Sequence, residues 1–186
     1  MQKLDPTGDG QCILLNGVII RPLRDDDIET SQRLRFEVWS AEGVALTHLK
    51  EHKIHDELDA QAFHWGAFVE NDMVASARLT VHQSLNDAPD GYLFHTIELP
   101  TPVANLSRMV VGAQFRRLGV ARAIDELRIR RAREMGAKVV IGSPVKTIPT
   151  LERLKSYGFQ FTEIDGKADW GDTPITGAYM LLTITC

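Results

Sequence analysis

A chain of 186 residues, 44% hydrophobic and 25% charged, is about one domain long and holds enough apolar material for a full core, which excludes wholesale disorder. The formal charge of -4 gives no overall attraction for nucleic acid or an anionic membrane, and no apolar run approaches the ~18 residues of a membrane span. Met1 to Gly10 is polar, with Asp5 and Asp9, unlike a signal peptide, and Cys12 and Cys186 are too few for a disulfide framework or a cysteine zinc site. The expectation is a cytoplasmic protein forming one domain over residues 1–186.

In chain order, Cys12 to Leu15 and Val18 to Ile20 flank Asn16-Gly17, the strongest short signal for a hairpin. Arg21-Pro22 ends it. Asp25, Asp26 and Asp27 then supply an N-cap and first-turn charge for a helix with Ile28, Leu34 and Val38 on its apolar side. Ala45 to Leu58 reads as a second helix. Gln61 to Val69 and Met73 to Val81 read as strands joined by a turn at Glu70-Asn71-Asp72. Asn86 to Tyr92 is loop, and Val103 to Val111 is a strand. A helix follows from Val120 to Met135, ended by Gly136. The short apolar run Lys138 to Ile141 has the look of a strand buried on both faces. Pro149 opens a last helix with Leu151 and Leu154 inward, closed by Gly158. Phe159 to Ile164 and Ile175 to Thr185 are strand-like, around a polar loop holding Asp165, Gly166, Trp170 and Gly171. The pattern predicts an α/β or α+β sheet protein.

Chemistry concentrates in Met109 to Arg122. An apolar strand runs into a turn with Arg116, Arg117 and Gly119, then directly into a helix. A helix start offers unpaired backbone N–H groups and a positive dipole end, so it suits an anion, and Gly119 allows close backbone approach. The same residues also serve a plain glycine turn with solvated arginines.

The segment Arg116-x-x-Gly119-x-Ala121 after an apolar strand resembles the acetyl-CoA-binding motif of the GNAT superfamily of N-acetyltransferases. The likeness extends to Ile20-Arg21-Pro22-Leu23 before acidic residues, the hairpin ahead of the motif, the buried strand at Val139 to Ile141, and Tyr157-Gly158-Phe159 after the last helix. It implies a mixed, mostly antiparallel sheet with flanking helices and a splay between its fourth and fifth strands, here Val103 to Val111 and Lys138 to Ser143. Backbone groups of Met109, Val110 and Val111 would pair with pantetheine. Arg116 and the amides of Arg117, Leu118, Gly119, Val120, Ala121 and Arg122 would hold the pyrophosphate. The implied reaction is direct transfer of an acetyl or longer acyl group from acetyl-CoA, or another acyl-CoA, to a primary amine of a small molecule. A backbone N–H near Val110 would steady the oxyanion. No metal is expected, and a homodimer is, since dimers are common in the superfamily.

Two positions depart from that pattern. Asn105 stands where some members carry a glutamate base, and an amide takes up no proton at neutral pH. Leu154 stands where many carry a tyrosine acid, with Tyr157 three positions on, and Thr147 and Thr150 replace the usual Asn and Ala of that helix. The catalytic candidates are therefore Asn105, Glu98 and Tyr157, with His95 beside Glu98. The departures equally suit a non-catalytic CoA-binding regulatory module on the same fold.

The first half is also similar to acyl-homoserine-lactone synthases and long-chain N-acyl amino acid synthases. The matching residues are Arg33 and Phe36, Asp56-x-x-Asp59, Arg78-Leu79 and Asn105-x-Ser107-Arg108. This likeness implies a longer acyl chain or an amino-acid-like acceptor, with Arg78 and Arg108 reading a carboxylate or forming structural ion pairs. Trp170 is the aromatic best placed for an acceptor cleft, Trp39 and Trp65 reading as core. His48, His52 and His55 share one face if their segment is helical, which suits either a metal or a solvated polar face. His64 and His82 read as hairpin surface or acceptor cleft. Arg122, Arg128, Arg130, Arg131 and Arg133 read as solvated helix surface, with one near the CoA 3'-phosphate.

Overall fold

A computed structural model of the chain describes residues 12–44, 46–144, 147–164 and 177–183, the backbone course alone for 162–164 and 177–183. In chain order the elements are β1 (Ile13–Leu15), β2 (Val18–Pro22), α1 (Asp25–Ala41), β3 (Phe63–Val69), β4 (Asp72–His82), β5 (Val103–Val111), α2 (Val120–Glu134), β6 (Val139–Gly142), α3 (Ile148–Lys155), β7 (Gln160–Ile164) and β8 (Gly177–Thr183). The strands form one sheet in the order β1-β2-β3-β4-β5-β6-β8-β7. Every pairing is antiparallel except β5 with β6, joined through α2 as a parallel pair requires. This is the mixed, mostly antiparallel α/β sheet expected, and the opening hairpin makes the superfamily's fourth and fifth strands β5 and β6 here.

The two faces of the central strands differ in chemistry. Trp65, Ala67, Ala75, Ala77, Leu79, Ala104 and Leu106 join Val120, Ile124, Leu127 and Ala132 of α2 in the main apolar core. The opposite face presents buried His64, Ser76, Arg78, Thr80 and Asn105, and α1 covers it with Ser31 and Arg35. Helix α1 therefore turns Ser31 and Arg35 onto the charged surface beneath it, while Ile28 and Leu34 of the expected apolar side pack beside them on Leu23, Phe68 and Met73. Its N-cap is Arg24; Asp27 reaches back to accept from the Arg24 N–H at 2.8 Å, closing the first turn as an acidic residue there should.

No helix spans Ala45 to Leu58. The described part of that segment is turns, with Val44, Leu46 and Ile54 packed on Phe36, Trp39 and Leu49, followed by a single 3₁₀ turn at Glu57–Gln61. Three apolar anchors at irregular spacing hold it down, so the expected face of His48, His52 and His55 does not exist; His52 instead stacks on Phe36 at 4.9 Å. Among the described residues no group of three or more His, Cys, Asp or Glu could hold a metal, and no helix is long and apolar enough to cross a membrane.

Candidate active site

Strand β5 positions the site. Its first residues pair with β6 (Val103 with Val139, Ala104 with Val140, Asn105 with Ile141), and β6 ends at Gly142. Past Asn105, β5 runs on to Val111 and among the described residues pairs only with β4, so its far edge lies open to them over Leu106–Val111. The register with β4 slips between Ser76 and Arg78, where Arg108 and Met109 together oppose Ala77. Arg108 takes a left-handed conformation, φ 57°, an uncommon one for a side chain of its size.

At the end of β5 the chain makes a 3₁₀ turn (Ala113–Phe115) and enters α2 through Gly119, whose φ of 84° only glycine adopts freely. A Cβ there would also press on Leu15 at 3.4 Å. Gly119 is the N-cap and no side chain caps this end, so the amides of Val120, Ala121 and Arg122 have no side-chain cap. Arg116, Arg117 and Arg122 are exposed around it. Arg116 donates to the Val111 carbonyl at 3.0 Å and pairs with Glu42 at 2.6 Å. The open edge of Met109, Val110 and Val111 thus leads into a positively charged helix start, a continuous path for an extended chain ending in phosphate.

On the α1 face lies a buried ionic cluster. Arg35 is fully buried and donates to Asp59 at 2.9 Å; Arg78, 1% exposed, donates to Asp59 at 2.8 Å, to Asp56, and through Nε to Ser107 at 3.1 Å. Arg108 closes the row on Asp56 at 2.6 Å. Asp56 also accepts from the Leu58 N–H at 3.1 Å, capping the 3₁₀ turn that carries Asp59 inward. Burial pushes the Arg35 guanidinium down to about 10, against the pull of Asp59, so it stays charged at neutral pH. Burial works to raise both carboxyls, but the facing arginines win and hold them below the ordinary range: Arg78 and Arg108 for Asp56, Arg35 and Arg78 for Asp59. Three arginines against two aspartates leave the row one positive charge in excess.

The arginine of α1 in this row is Arg35. Arg33, the residue the second resemblance pointed to, is exposed and pairs with Glu29 at 2.9 Å. The helical phase carried the signal, since Ile28, Ser31, Arg35 and Val38 lie along one stripe. His64 is 7% exposed, not surface: its Nδ1 accepts from Arg35 at 3.2 Å and its Nε2–H donates to the Asp59 carbonyl at 3.0 Å, which makes it neutral. Burial lowers its pKa in the same sense. His82, half-buried, lies 2.8 Å from the Thr80 hydroxyl.

The three catalytic candidates fall apart in space. Asn105 is fully buried; its amide N–H donates to the Pro89 carbonyl at 2.9 Å, tying down the loop over β5, and its Oδ1 has no partner among the described residues. Glu98 is exposed in the segment before β5. The Tyr157 hydroxyl donates to the Arg122 carbonyl at 3.1 Å, and burial together with Asp125 and Glu126 pushes its pKa up to about 12. No hydrogen bond joins the three among the described residues. Leu154 is core, 2% exposed. Trp170 and the polar loop around it lie outside the described residues.

Helix α2 corrects one more expectation. Arg122, Arg130 and Arg133 are surface residues, but Arg128 is 3% exposed and faces the sheet. It sits at i+4 from Ile124 and i-4 from Ala132, both core, and that phase was legible.

The comparisons follow this geometry. Chains of solved structure with the same fold include the N-acyl amino acid synthase FeeM from uncultured soil microbes (15% identity, TM-score 0.63, covering 89% of this chain and 90% of that one). The AHL synthase LasI matches at 17% identity and TM-score 0.60, over 94% of this chain and 90% of that one. NAA60 of Arabidopsis thaliana, solved with acetyl-CoA, matches at 10% identity and TM-score 0.63, over 90% and 98%. A search of curated proteins by sequence finds no match. The model of the acetyltransferase (GNAT) family matches residues 26–154, which take in α1, the ionic row, the open edge of β5 and all but the end of α3. With the splayed strands and the uncapped helix start on the same stretch, the chain belongs to the acetyltransferase (GNAT) family.

Proposed function

We propose that the chain, acting as one domain over residues 1–186, is an acyl-CoA-dependent N-acyltransferase with acetyl-CoA as donor and a primary amine on a small molecule as acceptor. The observation that supports this most is the open edge of β5 running into the uncapped start of α2. Pantetheine adds to the backbone of Met109, Val110 and Val111 as a further strand. The pyrophosphate rests on the amides from Arg117 through Leu118, Gly119, Val120 and Ala121 to Arg122, with Arg116 at the rim. The amine nitrogen attacks the thioester carbon; a backbone N–H near Val110 takes the developing negative charge; the C–S bond breaks, CoA leaves as thiolate, and the proton shed by the attacking nitrogen ends on its sulfur by way of solvent. A thiol pKa near ~8.5 makes that departure easy without an acid. Tyr157 keeps its proton at neutral pH, so it can serve as one only by leaving the Arg122 carbonyl.

Arg108 and Arg78 form the acceptor side, joined by Trp170. Arg108, at the exposed end of the row and 15% exposed, meets an acceptor carboxylate, while Arg78 holds Asp56 in place behind it. The excess positive charge of the row favours an anionic acceptor. Asn105 orients rather than deprotonates, so the amine must arrive neutral, unless Glu98 swings in as base. The protein works in the cytoplasm, and a homodimer is its assembly. Longer acyl chains, as in a long-chain N-acyl amino acid synthase, form the first variant of this reading.

One observation favours a second reading, a non-catalytic CoA-binding regulatory module: Asn105 is neutral and its N–H is spent on Pro89. Calorimetric titration with CoA, acetyl-CoA and a long-chain acyl-CoA tests the donor site and the acyl length. An amine screen for release of free thiol then separates enzyme from module, since a module binds and turns nothing over. Failure to bind any of the three ends both readings.

A further inference from the structure

Beneath the register slip of β5 lies a buried charge that the reaction as described does not use. From α2, Nη1 of Arg128 donates to the carbonyl of Arg78 on β4 at 3.0 Å and to that of Ser107 on β5 at 3.2 Å. The Ser107 carbonyl belongs to the peptide unit whose N–H is that of Arg108, the left-handed residue of the slip. Arg128 in turn pairs with Asp125, which is fully buried, and Asp125 accepts from Arg153 of α3 at 2.7 Å. On the other face the Arg108 side chain is held by Asp56. The slip is therefore gripped from both sides of the sheet.

Burying an ion carries a heavy desolvation cost, and an apolar side chain of similar size in α2 would serve the core as well. Left-handed backbone at a residue like arginine is also strained and persists only where its surroundings hold it. We infer that Arg128 is a positioning residue: by holding the peptide between Ser107 and Arg108, it aims the amide of Met109, next after the slip, along the open edge of β5, towards the thioester carbonyl. Asp125 and Arg153 keep Arg128 in place and tie that aim to α3. The inference rests on the reading of this edge as the donor groove.

The test uses the full chain with Arg128→Met, which removes both hydrogen bonds and keeps the bulk. Two measurements separate the grip from a general loss of stability. Amide hydrogen exchange at Arg108, Met109 and Val110 is expected to rise about tenfold, with the amides of β3 changed by less than about twofold. The carbonyl stretch of ¹³C-labelled acetyl-CoA is expected to fall in frequency on binding to the wild type. The variant loses at least half of that fall while its affinity for CoA stays within about threefold. Unchanged exchange at those three amides overturns the grip. Faster exchange with an unchanged carbonyl frequency overturns the aim. A wild type that binds no acetyl-CoA, whatever its exchange, overturns the donor-groove reading and the aiming role with it, an outcome distinct from the other two. If Arg128→Met does not fold, Arg153→Gln decides the matter, with about threefold faster exchange at the same amides and a partial loss of the carbonyl shift expected.

Discussion

The two faces of the central sheet are held by opposite means. Under α2, alanines, leucines and Trp65 pack against Ile124 and Leu127, and the charged intrusion there, Arg128 with its partner Asp125, is a bridged one. Under α1, the same strands present Arg78, His64 and Asn105 to Arg35 and Asp59, with hydrogen bonds where the other face has dispersion contacts. An apolar face tolerates swaps of similar volume, while an ionic one has a single solution in which every partner is needed. The ionic face borders the slip and the open edge of β5, where a defined geometry matters more than bulk stability.

That contrast can be broken by measurement. Asp59→Ala leaves Arg35 and Arg78 facing each other without their shared carboxylate and should lower unfolding free energy by about 3–5 kcal/mol in chemical denaturation. A loss under ~1 kcal/mol would make the ionic face as forgiving as the apolar one. On the donor side, Gly119→Asp puts a Cβ against Leu15 and a negative charge at the helix start. CoA affinity should drop at least about a hundredfold, ~2.7 kcal/mol by calorimetry. Undiminished affinity would reduce the Arg116 to Arg122 segment to a turn. On the apolar face, Leu154→Ala should cost about 2 kcal/mol or somewhat more in denaturation and leave CoA affinity unaltered. Selective loss of CoA binding in a stable variant would give Leu154 a place in the site instead of the core.

The smallest effect expected is in pH dependence, where only the ionic face should respond. His64 has a folded pKa below its ordinary ~6.5, so its neutral form stabilises the fold above that value and the contribution fades as pH falls through the folded pKa. Asp56 and Asp59, also lowered, contribute fully above ~3.9 and are lost only in stronger acid. Midpoints of thermal unfolding should thus decline in two stages below about pH 6.5; His64→Gln should shrink the first stage, which it shares with half-buried His82, whose pKa burial also lowers, and leave the second. A first stage undiminished by this substitution would assign it to another group.

The donor half was legible because its determinants are local: a strand, a turn, Gly119 and a helix lie within about a dozen consecutive residues. The strands along the chain up to β6 and the inward Leu154 followed from local pattern in the same way, while the splay of β5 from β6 came from the family resemblance. The ionic row was not legible, because its five charged members come from α1, the 3₁₀ turn, β4 and β5, and burial of a charge is a property of the assembled sheet. On α1, Ile28 and Leu34 do pack inward, on Leu23, Phe68 and Met73, but the adjoining stripe of Ser31 and Arg35 carries no apolar signal, and Arg33 entered only through the second resemblance. Reading arginines on α2 as solvated by composition overrode the phase that places Arg128 among core residues. Ala45 to Leu58 failed because the segment is held from outside, Leu46 and Ile54 packing with Phe36 and Trp39 of α1 and the Ile54 N–H donating to the Gln32 carbonyl at 3.1 Å, contacts no local pattern displays.

Among the described residues, the three residue pairs between β5 and β6, with the Lys138 N–H donating to the Pro102 carbonyl at 2.8 Å just ahead of them, form the short backbone join between a five-stranded and a three-stranded half of the sheet. In mechanical terms this is a seam. A load drawing the halves apart meets only that short parallel ladder and the side chains bridging it, so the molecule should part there first, like a book opening at its spine. A strand-like molecule laid into the open part of the seam would stitch the halves together and raise the force needed to separate them.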